Sequence, residues 1–509
     1  MNIAEMLDEL LAQPEGRISP SIYETGRVVS RAPWLAGHRG RLAFLLDAQN
    51  PDGTWGGPDE FCLVPTLSAI EAIRTSLDRD RPDPAMRERL RGAADAGLRA
   101  LLDRGPAERL PDTVAVELIV PVLVEKLNEQ LAASGESRWA GVRLSQPRGL
   151  DPGLLTKVRA ALAAGAPIPT KLHHSLEVVG AAASAAPTVA PVQGSVGCSP
   201  AATVAWLADE NHRAGHPAVM SYLDGLVGRY GGPVPSVVPI TVFERAWVLA
   251  ELARAGTDVA IPPALLDSLD AAVAHGATPG APGLPPDADT TSATLATLAQ
   301  LGRRRRPDSL YDYELDTHFC CWHGEKTASP TANAHVLEAL AEHPNHQPGA
   351  ARARAAMTKI AGWLADVQLV DGSWTDKWHA SPYYATACCV PALYLAGGPR
   401  SAKTIRRAVD WVLATQHADG SWGRWAGTAE ETAYAIRVLL HDPSPVAEAA
   451  VARGHEFLLG RSTRFDLVPL WQDKDLYCPT AVVATTIEAT LSRLRNRWSP
   501  STPVEQTAC

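Results

Sequence analysis

A twelve-residue stretch that occurs three times limits what this chain can fold into more than any other feature. Trp363–Trp374 reads WLADVQLVDGSW. It returns 48 residues later at Trp411–Trp422 as WVLATQHADGSW, and a third copy, Phe44–Trp55, ends QNPDGTW. Each copy has an apolar helix end, a Gln, an Asp-Gly turn and a Trp. A period of that size suits one helical hairpin per repeat, with hairpins stacked side by side. The Gly supplies the turn backbone, and Gln and Trp can tie one helix end to its neighbour. One copy lies near the N-terminus and two near the C-terminus, which points to two helical barrels rather than one continuous array.

The rest of the chain agrees with helices. Val483, Ile487, Leu491, Leu494 and Trp498 recur at spacings of 4, 4, 3 and 4, one apolar stripe on one helix face. Ile360–Val367 and Ile405–Leu413 read the same way, and strand-like alternation is scarce. The 41 prolines and 39 glycines mostly fall between helical stretches as stops and starts. An all-α protein of many short helices is expected. Ala182–Pro200, rich in Ala, Pro and Gly, reads as a long loop, and Arg229–Pro235 as a domain boundary.

Eight cysteines show no CxxC and no zinc spacing with His, so they read as reduced, mostly buried thiols of a cytoplasmic protein. A formal charge of −9 makes the chain a poor candidate for general nucleic-acid binding and for docking on anionic lipid. No run of 18 apolar residues predicts a membrane span, and the acid-bearing N-terminus is no signal peptide.

The sharpest local motif is Leu284–Ser292, LPPDADTTS, which runs into the apolar stretch Ala293–Leu301. Two readings are open. Asp287 or Asp289 can cap a helix N-terminus, where acids favour the dipole. Alternatively, two carboxylates at i and i+2 hinder each other's ionisation, so one stays protonated and serves as a general acid. Protonating an alkene needs such an acid in an apolar cavity whose aromatic faces tolerate a carbocation. Trp247, Phe319, Trp322, Trp378, Tyr383 and Tyr384 are candidates for those faces. The run Arg303–Arg306 reads as a charged helix end rather than a phosphate site.

Further segments carry a family resemblance: Ser21–Thr25 (SIYET), Glu117–Pro121 (ELIVP), Leu172–Glu177 (LHHSLE), Ser199–Thr203 (SPAAT), Val242–Arg245 (VFER), Asn333–Leu337 (NAHVL) and Asp376–Tyr384 (DKWHASPYY). With the repeats and the Asp-Xaa-Asp element, the chain resembles the class II terpene cyclases. Within them it is most similar to the bacterial two-domain βγ diphosphate cyclases. The resemblance implies two α-helical barrels, the γ barrel inserted after the first helix of the β barrel. The implied boundaries are 1–33 plus 229–509 for β and 34–228 for γ, with the active site between them. It implies Asp289 as the general acid, Asp287 as the first Asp of the motif, and Asn333 as the residue that hydrogen-bonds the acid. Lys377 and Lys171 become candidates for holding a diphosphate, with His379 a weaker third. Asp112 and Glu117, spaced as Asp-Xaa4-Glu, would carry Mg²⁺ bridging the diphosphate oxygens. Trp247, Phe319, Trp322, Trp378, Tyr384, Thr290 and Thr291 would line the cavity.

The family's usual fourth motif residue is Asp, where this chain has Thr290. The variant Asp-Xaa-Asp-Thr-Thr resembles that of the drimane-forming sesquiterpene cyclases. That implies farnesyl diphosphate as substrate and a drimane-type bicycle, drimenyl diphosphate, as product. No two aspartates are adjacent anywhere, so a metal-ionising DDxxD is absent and the diphosphate is expected to survive in the product. Length argues against squalene–hopene cyclases. The alternative within the class is geranylgeranyl diphosphate to a copalyl- or labdane-type diphosphate. Outside it stand an (α/α)-barrel glycosidase, for which carboxylates at i and i+2 are badly placed to flank a sugar, and a prenyl-binding or prenyltransferase subunit, for which the zinc set is missing. The expected partners are a prenyl diphosphate and, at most, a second copy in a homodimer.

Overall fold

The computed structural model describes residues 3–498 apart from 107–108, 152, 185, 187, 208, 258, 344–347 and 462–466. Helices follow one another along the chain, and the only named strands among the described residues form one small hairpin, Trp471–Gln472 paired with Leu476–Tyr477. Six helices close a ring. Thr241–Ala255 packs on Ala288–Gln300, that helix on Pro330–Ala341, then Pro382–Ala396, Ala429–Leu439, Thr480–Trp498 and back to Thr241–Ala255. Three ring helices are buried on all sides: every residue from Ala288 to Ala299, Pro330 to Leu340 and Ala429 to Leu439 is buried. The outer helices are one-faced instead. Ala350–Asp366 buries only Ala350, Ala353, Ala356, Ile360 and Leu364, a single helical stripe.

The ring helices start alike. Asp287, Ser329, Ser381 and Thr428 each cap a helix by accepting a backbone N–H, and Pro330 and Pro382 open the first turn, where no N–H is needed. The repeats form the clamps between hairpins. Trp55, Trp374 and Trp422 are fully buried, and each indole N–H donates to the end of the preceding outer helix, at the carbonyls of Leu45, Leu364 and Val412. Each Trp backbone N–H donates to a Thr hydroxyl of the next ring helix, Thr66, Thr386 or Thr432. Gln49, Gln368 and Gln416 reach the next outer helix at the carbonyls of Ala93, Thr404 and Ala450. Gly53 and Gly420 hold φ of +88°, and a Cβ there would lie 2.8 Å from the Ala96 carbonyl oxygen or 2.6 Å from that of Arg453. Only Gly fits both demands.

A second ring is built from Ile22–Arg31, Leu63–Arg79, Val116–Ala133, the 3₁₀ run Thr170–Ala183 and Pro200–Trp206, each packed on the next and the last on the first. The border read at residue 33 moves, because Ile22–Arg31 packs on Leu63–Arg79 and Pro200–Trp206, whereas Ile3–Ala12 packs on Thr480–Trp498. Most of the stretch read as a loop from 182 onward is short turns, following a 3₁₀ run that ends at Ala183.

The strand hairpin joins the two rings. Its tip residue Lys474 is fully buried and donates to Glu24 (2.5 Å), Glu177 (2.9 Å) and Ser199 (2.9 Å), all from the second ring. Asp473 meets His174 at 3.0 Å and Asp475 accepts from Ser21 and from the Tyr23 N–H. Burial, against the pull of Lys474 and with Glu177 adding to it, raises the Glu24 carboxyl to about 7. Seven cysteines are free and buried, and Cys509 lies outside the described residues. No helix among the described residues is long and apolar enough to cross a membrane.

Candidate active site

Asp287 and Asp289 open the ring helix Ala288–Gln300, and the two play different parts. Asp287 is its N-cap, with Oδ1 accepting from the Thr290 N–H (2.6 Å) and Oδ2 from the Thr290 hydroxyl (3.0 Å). Burial first, and the neighbouring Asp289 charge second, push its carboxyl up to about 7. Asp289 is 7% exposed, and its Oδ1 lies 2.7 Å from His335 Nδ1. Burial alone would lower the His335 pKa, but the charge of Asp289 and the hydrogen bond to it outweigh burial and raise it well above the ordinary imidazole value. The two thus form a buried carboxyl–imidazole contact in which the ring is held toward its protonated form.

Asn333 does not meet the acid. Its Oδ1 accepts from the Phe319 N–H, and its Nδ2 donates to the carbonyls of Phe319 and Ser329. The hydrogen bond on Asp289 expected of Asn333 is made by His335, two residues further along the same helix and therefore on another face. His335 stands inside the NAHVL segment but carries no periodic or spacing signal of its own. Phe319 is accordingly held by its backbone beside Asn333, with its ring buried.

Aromatic rings gather beside the acid. The Trp247 ring meets His335 edge-on at 5.3 Å and Phe243 at 4.5 Å, and its indole N–H donates to the Tyr384 hydroxyl at 3.1 Å. Tyr384 packs on Trp471 at 4.8 Å and stacks on His379 at 4.8 Å. Phe243, Tyr434 and Trp471 are members of this cluster that sequence reasoning missed; isolated aromatics among 14 Trp and 10 Tyr give no positional signal. Trp322 and Trp378 stand apart from it, edge to face at 5.5 Å and half-buried, with the Lys377 ammonium over both rings.

Thr290 and Thr291 use their hydroxyls locally. Thr290 donates to Asp287. Thr291 donates to the Asp287 carbonyl (2.5 Å) and accepts from the Thr278 N–H (2.9 Å). Both hydroxyls hold the helix start rather than face a cavity.

Of the basic candidates, His379 is fully buried, its Nδ1 accepting from the Ser381 N–H and its Nε2 facing Glu430 at 3.2 Å, so it belongs to the aromatic cluster and not to an anion site. Lys377 is paired with Glu325 at 2.5 Å and with the Thr327 carbonyl, which compensates its charge. Lys171 is exposed and reaches the Gly324 carbonyl from the second ring, so both lysines border the same 321–327 loop. Arg303, Arg305 and Arg306 pair with Asp267, Asp270 and Asp308.

Asp112 is exposed and Glu117 half-buried in the first turn of Val116–Ala133, and between them the Val114 N–H donates to the Asp473 carbonyl across the junction of the rings. Among the described residues no group of three or more His, Cys, Asp or Glu is gathered to hold a metal. Two accessible carboxylates nevertheless fit Mg²⁺, which typically takes one or two carboxylates and completes its shell with phosphate oxygens and water.

Residues 321–464 match the squalene-hopene cyclase C-terminal domain. The chain is 44% identical to an ent-copalyl diphosphate synthase of Streptomyces sp. (strain KO-3988), over 96% of this chain and 94% of that one. It is 40% identical to a labda-7,13-dienyl diphosphate synthase of Streptomyces clavuligerus, over 98% and 94% respectively. The solved structure of ent-copalyl diphosphate synthase from Streptomyces platensis superposes with a TM-score of 0.90 at 46% identity, covering 96% of this chain and 98% of that one.

Proposed function

Because this chain belongs to the bacterial class II terpene cyclases, we propose that it cyclises geranylgeranyl diphosphate to a copalyl- or labdane-type diphosphate, with Asp289 as the acid. The contact between Asp289 and His335 carries the reading. As a proton leaves the Asp289 carboxyl for the terminal alkene, the imidazolium on Oδ1 stabilises the carboxylate left behind. Asp287 keeps the helix start rigid and, with its carboxyl near 7, withholds a full second charge from the acid's side. The Trp247, Tyr384 and Trp471 rings offer π faces to the cation that forms.

Copalyl and labdadienyl, in the names of the relatives, are C20 bicycles, and those relatives match over nearly the whole chain. The farnesyl reading rests on Thr290 and Thr291 alone, and their hydroxyls are bound to Asp287 and to the 278 segment, where neither measures chain length. It stays as the second reading because the Thr pair departs from the family's Asp.

Asp112 and Glu117 would hold Mg²⁺, which when bound neutralises diphosphate charge. Lys171, which reaches the 321–327 loop, would add an ammonium, and Lys377 lends little charge while it is paired with Glu325. Chelation should slow turnover several-fold and leave the melting temperature unchanged; a fall in melting temperature contradicts a metal that serves only the substrate. The deciding experiment is a competition between geranylgeranyl and farnesyl diphosphates at equal concentration, with products dephosphorylated and identified. A dominant C20 bicycle is expected. A dominant C15 bicycle supports the second reading, and release of free diphosphate in step with product contradicts both.

A further inference from the structure

The class II reading accounts for the proton that enters and leaves open which group removes the one that must leave. The ring helix Ala429–Leu439 stands directly across from Ala288–Gln300: in either direction around the six-membered ring it is the third helix. Each of the two carries a carboxylate at its second residue, Asp289 and Glu430. The ring-helix starts lie at one end of the barrel, since Ala288 bonds Cys321, Ser329 bonds Asp376, and His379 bonds Glu430. The two acids therefore occupy opposite walls at one level.

Glu430 is 3% exposed. Its Oε1 accepts three hydrogen bonds, from His379 Nε2 (3.2 Å), the Tyr434 hydroxyl (3.1 Å) and Trp471 Nε1 (2.9 Å). Its Oε2 is buried and has no hydrogen-bond partner among the described residues. An unmatched carboxylate oxygen in an apolar interior is a costly arrangement for stability alone. Aromatic rings span the interval between the two acids: His335 to Trp247, Trp247 to Phe243, and Phe243 to Trp471 at 5.5 Å.

Chemistry asks for this separation. In a bicyclisation begun by protonating the terminal alkene, the last cationic carbon lies two fused rings from the first. A base beside the acid cannot reach it, so the base belongs on the opposite wall and must be unprotonated. We propose that Glu430 ends the cascade. Its Oε2 takes a proton from a carbon adjacent to the final cationic centre, and the C–H electron pair becomes the product C=C bond. Glu430 returns its proton to solvent and Asp289 regains one from solvent. One proton has entered and one has left, so product and substrate are isomers. The proposal rests on the class II reading above.

The test is product identity in Glu430→Gln, after incubation with each prenyl diphosphate and dephosphorylation. The ratio of hydroxylated or double-bond-shifted bicycles to the wild-type alkene should rise at least tenfold, whatever the total rate. A carboxylate that only supports the fold lowers the melting temperature and leaves this ratio unchanged. Trp471→Phe removes one donor to Oε1 and no charge, and it should move the ratio in the same direction, which keeps the test available where Glu430→Gln fails to fold. An unchanged ratio in whichever variant folds overturns the assignment of Glu430 alone. Wild-type protein inert toward every prenyl diphosphate defeats the cyclase reading instead.

Discussion

Asp289 and His335 come from consecutive ring helices and meet 2.7 Å apart, both buried, so neither has a ready substitute. Asp289→Asn should fold and lose cyclisation by at least ~10²–10⁴-fold, the range for one general acid. His335→Ala should retain a smaller activity, because the carboxylate left after proton transfer loses the cation that faces it. Wild-type activity should fall at high pH, where the imidazolium with its raised pKa loses its proton, and the variant should lack that fall. Rates across pH for both variants check this; equal activity in Asp289→Asn and wild type contradicts the assignment. Asp287 and Asp289 are legible in the sequence because an Asp-Xaa-Asp after two prolines and before an apolar stretch can only open a helix. His335 is not legible in that way. Its role depends on which neighbour its helix face meets, and a two-residue step from Asn333 changes the neighbour from the Phe319 backbone to the acid.

The clamp is the unit that converts a local motif into a barrel. Its twelve residues announce Gln, turn and Trp, and the structure adds the partners they could not announce: a Thr hydroxyl on the next ring helix and a carbonyl on the next outer one. Those partners lie 10 to 44 residues away, fixed by hairpin length rather than by the motif. Gly420→Ala should destabilise the fold by about 1–3 kcal/mol, the usual range for strain at a left-handed position, with the Arg453 carbonyl 2.6 Å from the new Cβ adding to it. A Cβ at Gly420 meets Arg453 of the outer helix Pro445–Arg461, so turnover by the folded fraction should be unchanged. Chemical denaturation read beside initial rates separates the two effects, and a loss of rate without a loss of stability would contradict a purely structural clamp.

At the scale of the molecule, one buried lysine sits at the centre of the junction between two closed rings. Lys474→Ala leaves Glu24 and Glu177 facing each other without a cation, and loss of one partner from a buried ion pair typically costs about 3–5 kcal/mol. Urea unfolding should register that loss, and a change below about 1 kcal/mol would mean that the junction holds by packing. Protonation acts on the whole fold as well. Burial raises Glu24, Glu244 and Asp287 to about 7 and Asp475 to about 6. Unfolded carboxyls titrate near 4, so between pH 4 and 7 the folded chain holds protons that the unfolded chain has released, and stability falls as pH climbs. Glu71 and Asp80, both lowered to about 2, contribute fully above pH 5, whereas His441, lowered by burial to about 4, favours the folded chain as pH climbs and opposes the trend. Calorimetry should therefore compare variants: Glu244→Gln should raise the melting temperature at pH 8 relative to that at pH 5.5 by comparison with wild type, and an unchanged difference contradicts the Glu244 shift.

The first ring is threaded from both ends of the chain. Ile3–Ala12 packs on Thr480–Trp498, while five elements between Ile22 and Trp206 close a ring of their own. During synthesis the second ring can therefore complete itself on the ribosome, whereas the ring that carries the acid stays open until its last helix has emerged. Its walls, buried in the finished fold, remain exposed for the whole of that interval, with the finished second ring beside them to shelter them. Capacity for catalysis is thus the last property this chain acquires, and it arrives with the hairpin that brings Lys474 into the junction.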